Sequence, residues 1–161
     1  MLATITMARS LFETAAVIRL MRDACKEAVK TKSVENMDKK VMELLFSARH
    51  KFFAEREGAH RAEGIGKMID QMESSLYGET KGKLRDSYGF LSEAVHPNFL
   101  GTIGLYTDHD YDVPHIHYGI TKEKREMVFS QVHLALGMIW LAELSIADIE
   151  SLMPEFLEFA T

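Results

Sequence analysis

Between Leu2 and Lys30 the chain holds neither Gly nor Pro, and its apolar residues recur at helical spacing. Leu11, Ala15, Ile18, Cys25 and Val29 fall near one stripe, with Ile5, Phe12, Ala16 and Leu20 beside it. So wide a face predicts a helix packed on several neighbours. Thr31-Lys32-Ser33 closes it. A second helix is expected through Met37, Val41, Leu44, Ala48 and Phe52, fading at Gly58. A third runs from about His60 through Ile65, Met68, Ile69, Met72 and Leu76 to Gly78. A fourth, from about Lys81, puts Leu84, Tyr88, Leu91 and Val95 on one face. It stops near His96, because Pro97 disfavours helical geometry in the residue before it.

Residues 97–120 depart from this rhythm. Two short segments rich in β-formers flank a polar centre, which predicts a small hairpin or an ordered loop. Thr121 then caps a fifth helix running to about Leu144. Ser145-x-x-Asp148 resembles a capping box and opens a short terminal helix, with Pro154 near its middle or restarting it. From Met127 to Ala142 the fifth helix is apolar almost all round, a pattern that predicts a place at the centre of the bundle. Gly137, Ala135 and Ala142 would let neighbours approach closely. The expected fold is an all-α bundle of five to six helices, one domain over residues 1–161, with a hairpin-like or loop insertion at about 97–120.

Composition narrows the class. The chain has 161 residues, is 47% hydrophobic and 27% charged, and carries a net charge of −5, values of an ordinary soluble single domain. Only 10 Gly and 3 Pro exclude collagen-like and low-complexity chains, and one cysteine excludes an internal disulfide framework or a multi-cysteine zinc finger. The slight acidity gives no overall attraction to nucleic-acid phosphates. The N-terminus lacks a basic region followed by an unbroken apolar run, so no secretory signal is expected. Residues 127–142 contain Ser130, Gln131 and His133 and fall short of the ~20 residues that span a bilayer. The expectation is a cytoplasmic protein with no membrane partner and no cofactor.

The densest polar feature is the stretch from Tyr88 to Asn98. Arg85, Gly89, Ser92 and His96 share a stripe at i, i+4, i+7 and i+11, and Glu93 lies one turn before His96. His96 sits at the helix C-terminus, where the dipole is negative. An imidazole beside a carboxylate and a hydroxyl suits proton transfer. The plainer reading is a helix C-cap tied down by His96, Pro97 and Asn98. Nothing resembles a nucleophile elbow or an oxyanion hole around Ser92. A second group joins His96 to His109, His115 and His117 among Asp108, Asp110 and Asp112. These residue types suit zinc, iron or nickel, but no fixed ligand signature is present, and chance clustering in a polar loop explains them as well. Glu13, among apolar neighbours, needs a partner such as Arg9. His133 reads as a core histidine, the methionines as packing, and Cys25 as buried and inert.

Tyr88-x-x-Leu-Ser-x-x-x-His-Pro-Asn98, together with Ala8-Arg-Ser-Leu-Phe-Glu-Thr14, resembles an uncharacterised bacterial helical family close to the HEPN-type bundles. Many of those are ribonucleases or toxin components that work as dimers. The resemblance covers two short segments and the order of helices. It implies a homodimer of toxin or defence type directed at RNA. Two other readings stand beside it: a metal-binding helical protein using His96, His109, His115 and His117, and a non-catalytic interaction module whose loop from Asn98 to Gly119 contacts a protein partner. In HEPN ribonucleases an Arg-x(4–6)-His pattern acts on RNA phosphates. Here no Arg has a His at that spacing: Arg56 precedes His60 by four positions, Arg125 precedes His133 by eight, and Arg85 precedes His96 by eleven. Eleven helical residues span about 16 Å, so Arg85 and His96 could share a phosphate only across two subunits. The implied activity is a weakened or absent metal-independent ribonuclease, with His96 as the proton-transfer group. Ser92, Glu93 and Asn98 would orient it or the phosphate, and Arg85 would contribute charge in trans.

Overall fold

The computed structural model describes residues 2–45, 64–79, 81–96, 104, 107–109 and 116–160. Among them are five helices: α1 (Leu2–Thr31), α2 (Glu35–Leu45), α3 (Ile65–Tyr77), α4 (Lys83–Val95) and α5 (Lys122–Leu157). Within the stretch expected to hold a hairpin, β1 (Thr107–His109) pairs antiparallel with β2 (Ile116–Tyr118). The architecture is the expected all-α helical bundle. The end of the second expected helix, at Gly58, and the start of the third, at His60, lie outside the described residues.

The bundle is organised around α1, which touches α2, α3, α4 and α5; besides these contacts, only α3 and α4 pack substantially on each other among the described helices. This is why the apolar face of α1 is wide. Ile5 and Phe12 are fully enclosed, and they share one cluster with Ile69 and Met72 of α3 and Leu91 of α4. A side chain of that size contributes about 1.5–3 kcal/mol by leaving water. The chain reverses between α3 and α4 through two left-handed glycines, Gly78 at φ 74° and Gly82 at φ 76°, a conformation that suits glycine because it lacks a Cβ. The helix α4 ends where Pro97 requires: His96 takes φ −75°, ψ 144°, and its backbone N–H reaches the Glu93 carbonyl at 3.3 Å.

The last helix departs from the sequence expectation twice. First, α5 is one helix of 36 residues, without the break expected at Ser145. A capping serine accepts an N–H from the turn ahead. Ser145 instead donates from Oγ to the Leu141 carbonyl at 2.8 Å and is fully buried, while Asp148 turns to Arg22 of α1. Pro154 lies inside the helix and removes the N–H that would reach the Glu150 carbonyl, yet the helix continues past it to Leu157.

Second, α5 does not lie at the centre. Arg22 pairs with Asp148 at 2.7 Å and Lys32 with Glu155 at 3.7 Å, so α1 and α5 run side by side in the same direction. The residues α5 buries, Val128, Ala135, Met138 and Ser145, form one stripe of the 3.5-residue period typical of paired helices. With α1 as its one substantial neighbour among the described elements, its other faces meet solvent. Phe129 is 64% exposed, Leu136 52% and Trp140 67%. His133 is likewise on the outer surface and not in the core. Its ring meets Phe129 edge-on at 4.4 Å, and its Nδ1 lies 3.0 Å from the Phe129 carbonyl. The methionines also divide: Met68, Met72 and Met138 are buried, but Met7, Met42, Met127 and Met153 are exposed.

Candidate functional site

The phase of α4 sets which side chains can act together, and a residue of α3 sets that phase. Glu73 is 1% exposed, and its carboxylate accepts the first backbone N–H groups of α4: Gly82 at 2.8 Å, Lys83 at 3.0 Å and Leu84 at 3.3 Å. These are donors that a helix start leaves without intrahelical partners, at its positive end. From that anchor α4 buries Leu84, Tyr88, Leu91 and Ala94. The stripe of Arg85, Gly89, Ser92 and His96 then runs beside the buried one. Gly89 and Ser92 are half-buried, while Arg85, Glu93 and His96 are exposed.

Tyr88 carries the link to α1. Its hydroxyl donates to Glu13 Oε1 at 2.7 Å, and Arg9 Nε donates to the same oxygen at 3.1 Å and to the Tyr88 hydroxyl at 3.4 Å. The Arg9 guanidinium also stands over the Tyr88 ring, 5.7 Å from its centroid. Burial, reinforced by the hydrogen bond to Glu13, raises the Tyr88 phenol above its ordinary value. The hydrogen bond to Tyr88 raises Arg9, with Glu13 adding to it. The expected partner of Glu13 is therefore Arg9, with Tyr88 as a third member. The two sequence segments that carry the family resemblance meet at this network.

The proposed site residues are only partly brought together. Ser92, Glu93 and His96 occupy the last turn and the cap of α4, and the exposed imidazole of His96 leaves capping to its backbone N–H. Arg85 points elsewhere. It pairs with Asp70 of α3, and its guanidinium lies against Gly66, where an added Cβ would come within 3.1 Å of it. Asn98 and His115 lie outside the described residues, as do the side chains of His109 and His117. In the ladder His117 stands opposite Asp108, and His109 opposite Ile116.

A cavity of about 440 Å³ opens at the other end of α4, between α3 and α5. Glu73, Tyr77, Lys81, Lys83, Leu84, Ser87 and Leu134 line it. It contains none of the residues singled out at the C-terminal end of α4. Glu73 itself gave no sequence signal beyond its polar identity on an apolar helix face, which is the signal to look for. Comparison with protein-family models, curated proteins and solved structures gives no match.

Proposed function

We propose that the chain is an HEPN-like, RNA- or stress-associated protein of the toxin or defence type, acting as a homodimer. In this reading His96 is the proton-transfer group of a weakened or absent metal-independent ribonuclease. The observation that carries it is the exposed imidazole at the end of α4, one turn after Ser92 and Glu93. Proton transfer to or from an RNA hydroxyl needs such an accessible group near a carboxylate. Weakness follows from Arg85. It is held by Asp70, and it stands about 16 Å along the helix from His96, so Arg85 would reach a phosphate bound at His96 only from a second subunit.

Labelled RNA incubated with the purified chain in EDTA tests this. Slow cleavage is expected, abolished in His96→Ala. The melting temperature should stay within about 2 °C, because the imidazole is exposed and the capping bond comes from the backbone N–H, which alanine keeps, and such surface substitutions usually change stability by under ~0.5 kcal/mol. Intact RNA with the wild-type chain at every pH would remove the enzymatic part of the proposal. An unfolded His96→Ala variant would assign His96 a structural role. A second reading, a non-catalytic interaction module, is favoured by the exposed apolar surface of α5.

A further inference from the structure

We infer that the outer face of α5 is covered by the same face of a second copy, with the two helices antiparallel and crossing near Gly137. This specifies the homodimer proposed above. It rests on that reading for the existence of a dimer but is argued from α5 alone, and oligomeric state is its readout: a dimer through α5 that leaves RNA whole removes only the enzymatic reading, and a chain that cleaves RNA as a monomer removes only this inference.

The face is too large to be incidental. Phe129, Leu136, Ile139, Trp140, Leu144 and Ile146 are between 41% and 67% exposed. Together they offer roughly 600 Å² of apolar surface per copy, taking 150–250 Å² for a whole aromatic side chain as the scale. Patches beyond a few hundred Å² mark interaction sites, and a standard interface takes about 800 Å² from each partner.

Charge along α5 selects the occupant and its direction. Lys122, Lys124 and Arg125 stand near the start with Glu123 and Glu126, and residues 127–142 contain no Lys, Arg, Asp or Glu. Glu143, Asp148, Glu150, Glu155 and Glu158 follow without a single Lys or Arg; Asp148 and Glu155 pair with Arg22 and Lys32 of the same chain, which leaves Glu143, Glu150 and Glu158 exposed and outside those pairs. A parallel copy would set the acidic ends against each other. An antiparallel copy brings Arg125 of each chain beside Glu150 of the other, and His133 beside Glu143. It also lays Trp140 over Gly137, where an added Cβ would meet none of the described residues within 4 Å. Such a face is self-complementary, as a twofold interface requires.

A lipid surface fits less well. A helix lying in a membrane interface carries Lys and Arg on its polar side, and the acidic end of α5 would be repelled by anionic headgroups.

Sedimentation equilibrium of the full chain tests the inference, with Trp140, the single tryptophan, as a fluorescence reporter. A dimer is expected whose Trp140 emission shifts to the red on dilution. Gly137→Gln, which meets open space in the protomer, should weaken the dimer at least tenfold with the helical circular-dichroism spectrum unchanged. Arg125→Glu and Glu150→Lys should each weaken it severalfold, and the double variant should restore it. A chain that stays monomeric at all concentrations overturns the inference. So does a dimer indifferent to Gly137→Gln and to both charge reversals, or a monomer that cosediments with phosphatidylcholine vesicles through this face.

Discussion

Replacing Glu73 by alanine removes the acceptor for three backbone N–H groups at the start of α4 and changes no exposed surface. The size of the loss follows from how well water can substitute. Gly82 is half-buried and Lys83 exposed, so their N–H groups can be rehydrated, and each costs about 1 kcal/mol, within the usual range for a lost cap. The Leu84 N–H bond is buried, and a stranded buried donor costs about 1–3 kcal/mol. Glu73→Ala should therefore destabilise the chain by about 3–5 kcal/mol. In a domain of this size that lowers the melting temperature by about 6–20 °C. Glu73→Gln keeps one oxygen but turns an NH₂ toward an N–H, and should cost about half as much. Urea unfolding monitored by circular dichroism measures both, and amide exchange at Gly82–Leu84 should accelerate in each variant. An alanine variant within 1 kcal/mol of wild type, or a glutamine variant as damaging as alanine, would refute the assignment of Glu73 as the anchor of α4.

Tyr88→Phe should cost about 1–1.5 kcal/mol in urea unfolding, less than a fully buried bond to a charged group, because Glu13 is partly exposed and can take up water. The raised Tyr88 phenol also makes a pH prediction. The folded chain holds this proton more tightly than the unfolded one, so its contribution to stability is present below the ordinary phenol value of 10.0 and is lost as pH rises above it. The alkaline fall in melting temperature should be shallower in Tyr88→Phe. Cys25, buried beside Met37 with its thiol pushed up by desolvation, should react with iodoacetamide at pH 8 only after unfolding. Rapid labelling of the folded chain would place it at the surface.

Local features of the fold were legible because they are written at short range. The apolar spacing of α1, α3 and α4 gave those helices, and Pro97 gave the end of α4, since a steric rule between neighbouring residues decides it. Arg9 and Glu13, one turn apart, gave their own pairing. Tyr88 as the third member was not legible, because 75 residues separate it from Glu13 and only the packing of α4 on α1 joins them. The Glu73 anchor and the Arg85–Asp70 pair are hidden for the same reason: both depend on how α3 folds back on α4 through Gly78 and Gly82. The Ser145-x-x-Asp148 capping pattern misled because Ser145 bonds back to Leu141 within α5 and Asp148 is taken up by Arg22 of α1.

The placement of α5 failed for a more general reason. Apolar residues on every side of a helix report that every side is to be removed from water, but not whether the same chain or another does the removing. The stripe of Val128, Ala135, Met138 and Ser145 records the part that α1 covers. Charge distinguishes the remaining faces better than hydrophobicity does. A helix wholly enclosed by its own domain needs no particular order of charges at its two ends, whereas α5 runs from a mixed, cation-containing start through an uncharged middle to an all-acidic end. Arg22 and Lys32 answer part of that order through Asp148 and Glu155, and Glu143 and Glu150 remain on the exposed side, where the inverted copy inferred above would answer them. Gly137 points the same way. In a helix interior glycine costs about 1 kcal/mol relative to alanine. At this position the described residues give it no steric reason, because none approaches within 4 Å of an added Cβ. The close crossing by a second helix inferred above would supply one.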